Sequence, residues 1–279
     1  NGLRYYDIRE IVWLDVDQFY GIEYEEFPAR IAEVAMWLID HQMNMLISNE
    51  FGQYFLRLPL KKAAHIVHAD ALETDWNDVV PKSELSFIIG NPPFIGSKVM
   101  QQRQRDQIVR LFAGTEGSGV LDYVCGWYIK AAQMIQGTSI RVAFVSTNSI
   151  VQGEQTSILW GSMLYRYNVR IHFAHRTFKW SNEARGNAAV YCVIIGFMIN
   201  DFLKFDGRTF HDGRSRYGSY AMIYDYETPT STPQQLAVKN INPYLVDARN
   251  ILIAKKTNPI CRVPKMSFGN MPLDGGHLL

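Results

Sequence analysis

Cysteine is scarce in this chain of 279 residues: Cys125, Cys192 and Cys261 stand far apart, with no CxxC pair. An odd count without close spacing argues against a disulfide framework or a zinc site, and for a reducing compartment. Neither sign of charge is in excess. The formal net charge is +1, so any nucleic-acid partner must be held by local patches rather than by the overall field. The longest apolar run, AAVYCVIIGFMI at 188–199, is too short for a bilayer, which needs about 20 residues. It reads as a buried strand, no signal peptide opens the sequence, and no internal repeat is visible. A cytosolic globular protein is the expectation. The sequence begins at NGLRYYDIRE without Met and stops at DGGHLL, a turn followed by the start of another apolar run. Both ends are expected to be cuts within a longer polypeptide.

Prolines are few, yet two stand together in FIIGNPPFIGSK at 87–98. Neither can donate to a ladder, so the apolar strand that precedes them must end there. The other segments alternate. QFYGIEY (18–24), AAHIVHADAL (63–72), ELSFIIG (84–90), IRVAFVSTNSI (140–150), NVRIHFAHRTF (168–178) and NAAVYCVIIGFMI (187–199) read as strands. Helices are predicted over 25–46, 98–114 and 121–137. In the first, Pro28 suits the opening turn, and Phe27, Ile31, Val34, Ala35, Leu38 and Met45 recur at helical spacing. Beyond about 201 the pattern weakens into short strands and turns. Alternating strands and helices predict an α/β fold with a mostly parallel, doubly wound sheet.

In such sheets ligands bind at the carboxyl ends of the strands. That rule collects Glu23, Asp70 and Asn91 on one rim. Glu23 could accept hydrogen bonds from ribose hydroxyls, or complement the dipole of the next helix. Asp70 could meet the amino group of an adenine, or cap a turn. Asn91-Pro92-Pro93-Phe94 is more specific. The Asn91 amide oxygen and the Pro92 carbonyl are two acceptors on a rigid backbone, matched to one exocyclic amino group. Phe94 offers a flat face for a base. Such an amino group is a poor nucleophile, and two acceptors can localise and aim its lone pair.

These residues resemble the catalytic motif of the S-adenosylmethionine-dependent adenine-N6 DNA methyltransferases. The resemblance continues through FYGIEYEEFPARIAEVAMWLIDHQMN, HADALETDW, LDYVCGWYIKAAQMI, RVAFVSTNSI and TFKWSNEARGNAAVYCVIIGF. It covers about residues 15 to 279 and is closest to the methylase region of large single-chain bacterial restriction–modification enzymes. It implies a Rossmann-like methyltransferase domain over 1–200, and an extension at 201–279 leading toward target recognition. Asn91, Pro92, Pro93 and Phe94 would form the catalytic motif and hold a flipped adenine of double-stranded DNA. Glu23 would bind the ribose of S-adenosylmethionine. Asp70, Ala71 and Leu72 would face its adenine, with Asp122 nearby. Phe178, with Trp180 behind it, would line the target-base pocket.

Several readings stay outside that resemblance. The glycine-rich cofactor loop of the family belongs upstream of Glu23, and nothing in 1–22 resembles it. The sheet is therefore expected to lack its first strand, and this chain to bind the cofactor weakly. The glycines of AGTEGSGV (113–120) lie between two helices rather than after a strand, and read as a surface loop. Arg103, Arg105 and Arg110 on the basic helix could meet DNA phosphates or form a solvated face. His172 and His175 do not suggest a shared metal. Val124, Tyr191 and Ile260 precede the cysteines, so the Pro-Cys nucleophile of covalent cytosine methylation is absent. RNA or a protein glutamine as substrate, or an inactive scaffold, are the alternatives.

Overall fold

A computed structural model describes residues 12–52, 62–180, 190–200, 220–228 and 230–255. The parts of the predicted C-terminal extension at 201–219 and 256–279, and the 181–189 part of the later motif, lie outside the described residues.

The chain first builds a parallel pair. Strand β1 (Tyr20–Glu23) lies beside β2 (His65–His68), with Tyr20 opposite His65 and Glu23 opposite His68. The rings of Tyr20 and His65 stack with centroids 4.8 Å apart. Parallel neighbours need a crossover, and helix α1 (Glu26–Phe51) supplies it. Pro28 falls in its first turn. Gly52 ends it at φ 62°, donating its N–H to the Ser48 carbonyl. The apolar stripe at helical spacing is there, but it faces outward. Phe27, Ile31, Val34, Leu38 and Met45 are all exposed, because no described element covers that face.

A short helix, α2 (Trp76–Val79), leads to β3 (Phe87–Gly90), where a second sheet begins. Its six strands run in the order β3-β4-β6-β5-β7-β8, with β4 at Arg141–Thr147, β5 at Val169–Trp180, β6 at Val190–Ile199, β7 at Ala221–Asp225 and β8 at Gln234–Val238. Strands β3, β4, β5 and β7 point one way, while β6 and β8 run against them. The expected mostly parallel sheet is thus present, with an antiparallel strand wedged between β4 and β5. The sheet continues past residue 200 into β7 and β8. Among the described residues no ladder joins β1 or β2 to β3. On β3, Phe87 is 63% and Ile89 81% exposed, so this apolar strand is an open edge.

Three further helices are α3 (Gln102–Leu111), α4 (Cys125–Met134) and α5 (Gly153–Gly161). The core lies between α4, α5 and one face of the large sheet. Tyr128 of α4 stacks on Phe197 at 5.4 Å and meets Phe144 edge-on at the same distance. Gly126 lets the turn after β2 enter this core, since a Cβ there would sit 2.8 Å from the Leu72 side chain. No helix of the described residues is long and apolar enough to cross a membrane.

Strand β5 is bulged twice against β6, between Ile171 and Phe173 and between His175 and Phe178. Each bulge adds a residue and reverses the alternation of faces. Phe173, His175 and Phe178 therefore share the face opposite the core. The Phe173 ring lies so close over Gly196 that a Cβ there would be 2.1 Å from it.

Two expectations follow. Gly196→Ala should destabilise the fold by about 1–3 kcal/mol through overpacking, and adding Phe173→Leu should recover part of that in denaturant titration. His172, the extra residue of the first bulge, has its pKa lowered to about 4, mainly by burial and then by Arg141 and Arg170. Its unfolded value of about 6.5 is higher, so its contribution is complete above that pH and is lost as pH falls toward 4. Replacing it with Asn should flatten the stability profile across that window.

Candidate active site

Glu23 and Asp70 stand at the carboxyl ends of β1 and β2, one directly ending its strand and the other just beyond it. Asn91 follows β3, on the other ladder. The Glu23 carboxylate is half-buried, and the hydrogen bond that reaches it comes from the Glu25 N–H at 3.3 Å. It thus keeps acceptor capacity. Asp70 is more engaged. Its Oδ1 accepts the Leu72 N–H at 3.0 Å, while Oδ2 accepts from Arg103 and from the Gln107 amide, each at 2.9 Å. Ala71 is half-buried and gives its carbonyl to the Trp76 indole N–H. Leu72 is in the core.

Helix α3 faces this turn through one stripe: Arg103, Gln107 and Arg110, at i, i+4 and i+7. Arg103 binds Asp70, Arg110 binds Glu73 at 2.6 Å, and Gln107 binds both carboxylates. Arg110 and then Gln107 hold the Glu73 pKa below its ordinary value. Arg105 points elsewhere and has no carboxylate partner among the described residues; its guanidinium reaches the Lys98 carbonyl at 3.4 Å.

Gln107 is only 2% exposed. Its amide donates to Asp70 and Glu73, and its oxygen accepts from the Tyr123 hydroxyl at 2.6 Å. Burial, and then the charge of Asp70, push the Tyr123 phenol up to about 12, so it remains a donor. The backbone N–H of Tyr123 in turn holds the Ile95 carbonyl at 2.9 Å, inside the loop that follows the double proline.

That loop leaves the sheet abruptly. Gly90 pairs with Phe144 of β4, and Asn91 is then free of the ladder. Asn91 is exposed, Pro92 and its ring are buried, Pro93 is exposed and Phe94 is half-buried. Among the described residues, neither the Asn91 amide nor the Pro92 carbonyl has a hydrogen-bond partner. Two acceptors thus stand without partners at the end of β3.

Asp122 is 8% exposed and lies between that loop and the turn after β4, accepting from Ser97 of the first and Ser149 of the second. Phe178, half-buried near the carboxyl end of β5, lies across β6 from Thr147 at the end of β4, with Cys192 between them. Its ring is 5.5 Å from that of Tyr226 and 6.2 Å from that of Trp180. Tyr226 is fixed by a 2.7 Å hydrogen bond to His175 Nδ1, and His175 stacks on Tyr224 at 4.2 Å. Burial lowers the His175 pKa and raises that of Tyr226, so both are neutral near pH 7. No cluster of metal-ligating side chains occurs among the described residues.

The geometry adds residues that sequence reading passed over. For Gln107 the one available signal was its helical spacing from Arg103 and Arg110. Ser97, Ser149 and Tyr226 carried no signal of their own, because their partners are distant in the chain.

The model of the MmeI DNA-methyltransferase domain matches residues 4–206. The chain belongs to this family. DNA methyltransferase A of Bacillus subtilis (strain 168) is 38% identical to this methyltransferase domain over 267 residues, covering 95% of the chain and 28% of that protein. The solved structure of the type IIL restriction–modification enzyme MmeI in complex with DNA is 48% identical, with a TM-score of 0.84. It covers 97% of this chain, which spans 34% of that enzyme's chain.

Removing Gln107 leaves the Tyr123 hydroxyl and two carboxylates short of partners. Gln107→Ala should cost about 1–3 kcal/mol, seen as a lowered denaturation midpoint. Arg105→Ala should leave that midpoint unchanged.

Proposed function

We propose that the protein carrying this domain methylates N6 of adenine in double-stranded DNA as part of a restriction–modification system. The observation that carries this reading is the pair of unpartnered acceptors, Asn91 and the Pro92 carbonyl, fixed at the end of β3. Family membership and the likeness to a DNA-bound relative support DNA over other substrates.

The residues present fit S-adenosylmethionine at its ribose end, where the half-buried Glu23 keeps free acceptor positions for hydroxyls. Asp70 offers less, because its carboxylate already accepts three hydrogen bonds. When bound, the cofactor supplies an electrophilic methyl group on a sulfonium. The side chains of this chain do the rest. Asn91 and Pro92 accept the two N–H bonds of the adenine amino group, which concentrates its lone pair on nitrogen and aims it. Phe94 stacks on the base, and Phe178, backed by Trp180 and Tyr226, closes the other side. A base must leave the duplex to reach them, at a cost of a few kcal/mol. Stacking, at about 1–3 kcal/mol per base, offsets part of that cost. Catalysis is then positioning and electrostatics, with no covalent intermediate on the protein. Arg105, the arginine of α3 without a carboxylate, is the phosphate contact of choice, since Arg103 and Arg110 are neutralised locally.

The test is methyl transfer by the intact protein to DNA, with RNA and protein as comparison substrates. Asn91→Ala should abolish transfer while leaving cofactor affinity unchanged in calorimetric titration. Phe94→Ala should retain some turnover with weakened DNA capture. Full activity of the Asn91 variant, or labelling of RNA or protein in place of DNA, would remove this reading.

A further inference from the structure

The sequence resemblance placed Asp122 near the cofactor. The geometry points to a different role: we propose that Asp122 is a positioning residue that clamps the catalytic loop to the turn that follows β4. The activity arm of its test rests on the methyltransferase reading above; the structural arm does not.

Both carboxylate oxygens of Asp122 are engaged by the protein. Oδ1 accepts the backbone N–H of Ser97 at 2.9 Å. Oδ2 accepts the hydroxyl of Ser149 at 2.6 Å, and Ser149 is also 2.8 Å from the Thr147 hydroxyl. Lone pairs remain on both oxygens, but a cofactor hydroxyl or amine could reach them only by entering a group that is 8% exposed and already committed to two protein donors. The anchor itself is rigid. The Asp122 N–H donates to Gln155 of α5 at 2.8 Å, and its carbonyl accepts the Cys125 N–H at 3.0 Å. Leu121, Val124 and Cys125 around it are fully buried.

The clamp has a second jaw in the next residue, the hydrogen bond from the Tyr123 N–H to the Ile95 carbonyl. Two consecutive residues thus hold Ile95 and Ser97. Upstream, Gly90 is held by pairing with Phe144. The segment between these two ties contains Asn91, Pro92 and Phe94. A two-acceptor grip on one amino group works only if both acceptors keep their separation and direction. The prolines stiffen the segment, and the Asp122 clamp fixes its far end. Ser149 couples that end to β4, so the loop is referenced to the sheet on both sides.

Asp122→Ala and Asp122→Asn separate the roles. Asn can still accept from Ser97 and can donate to Ser149, which is free to turn its hydroxyl. By hydrogen-exchange mass spectrometry of the purified chain, the 95–97 amides should lose protection by about tenfold or more in the Ala variant and keep it in the Asn variant. In the intact protein, Asp122→Ala should lower kcat by about 10- to 100-fold, with the cofactor dissociation constant within about twofold of wild type. Asp122→Asn should restore most of the rate. If the Ala variant does not fold, Ser149→Ala carries the test, with a smaller fall in kcat and the same unchanged cofactor affinity. Unchanged protection at 95–97, or a tenfold loss of cofactor affinity at full kcat in whichever of the two folds, overturns the clamp. Intact protection changes in a protein that does not methylate DNA would overturn the methyltransferase reading and leave the clamp standing.

Discussion

A buried amide, that of Gln107, ties the turn after β2 to the loop after β3. Strands β2 and β3 share no ladder, so the turn that carries Asp70 and the loop that carries Asn91 are not aligned by backbone pairing. Gln107 supplies the alignment in its place. It fixes Asp70 and Glu73 on one side and Tyr123 on the other, and Tyr123 grips the loop after Phe94. A buried network of this kind is favourable only when every member is satisfied. Here each polar atom of the Gln107 side chain has a partner, which is why a glutamine can sit 2% exposed in an otherwise charged helix face.

Much of this was legible in the sequence. The strands ending at Glu23 and Gly90, the crossover helix and the buried strand at 140–150 all follow from periodicity and turn residues. The double proline identified the loop because proline acts through local geometry, which sequence displays directly. Boundaries were less legible. The helix expected over 121–137 spans Cys125–Met134, since Asp122 and Tyr123 are used in contacts with the loop after the double proline. Strand order was not legible at all. Nothing in the residues of β6 says that it runs antiparallel between β4 and β5, since that depends on which edges remain when the chain returns.

The bulges in β5 show why side-chain direction also escaped. His175 and Phe178 are three apart, and simple alternation puts them on opposite faces. The extra residue between them puts both on one face, beside Tyr224 and Tyr226. The outward stripe of α1 has a similar lesson. Its spacing correctly indicates a helix, but amphipathicity reports only that a face wants cover, not that a described element provides it.

The absence of a ladder between β2 and β3 also has a mechanical side. Sheets resist shear because every ladder bond must break together. The β1–β2 unit is held to the rest instead by Leu72 in the core and by side chains reaching across: Gln107 to Asp70 and Glu73, Arg103 to Asp70, Arg110 to Glu73, and Lys130 to the Thr74 carbonyl. Such links can rearrange singly. Each of these links can therefore be removed by one substitution, whereas no side-chain change removes a backbone ladder.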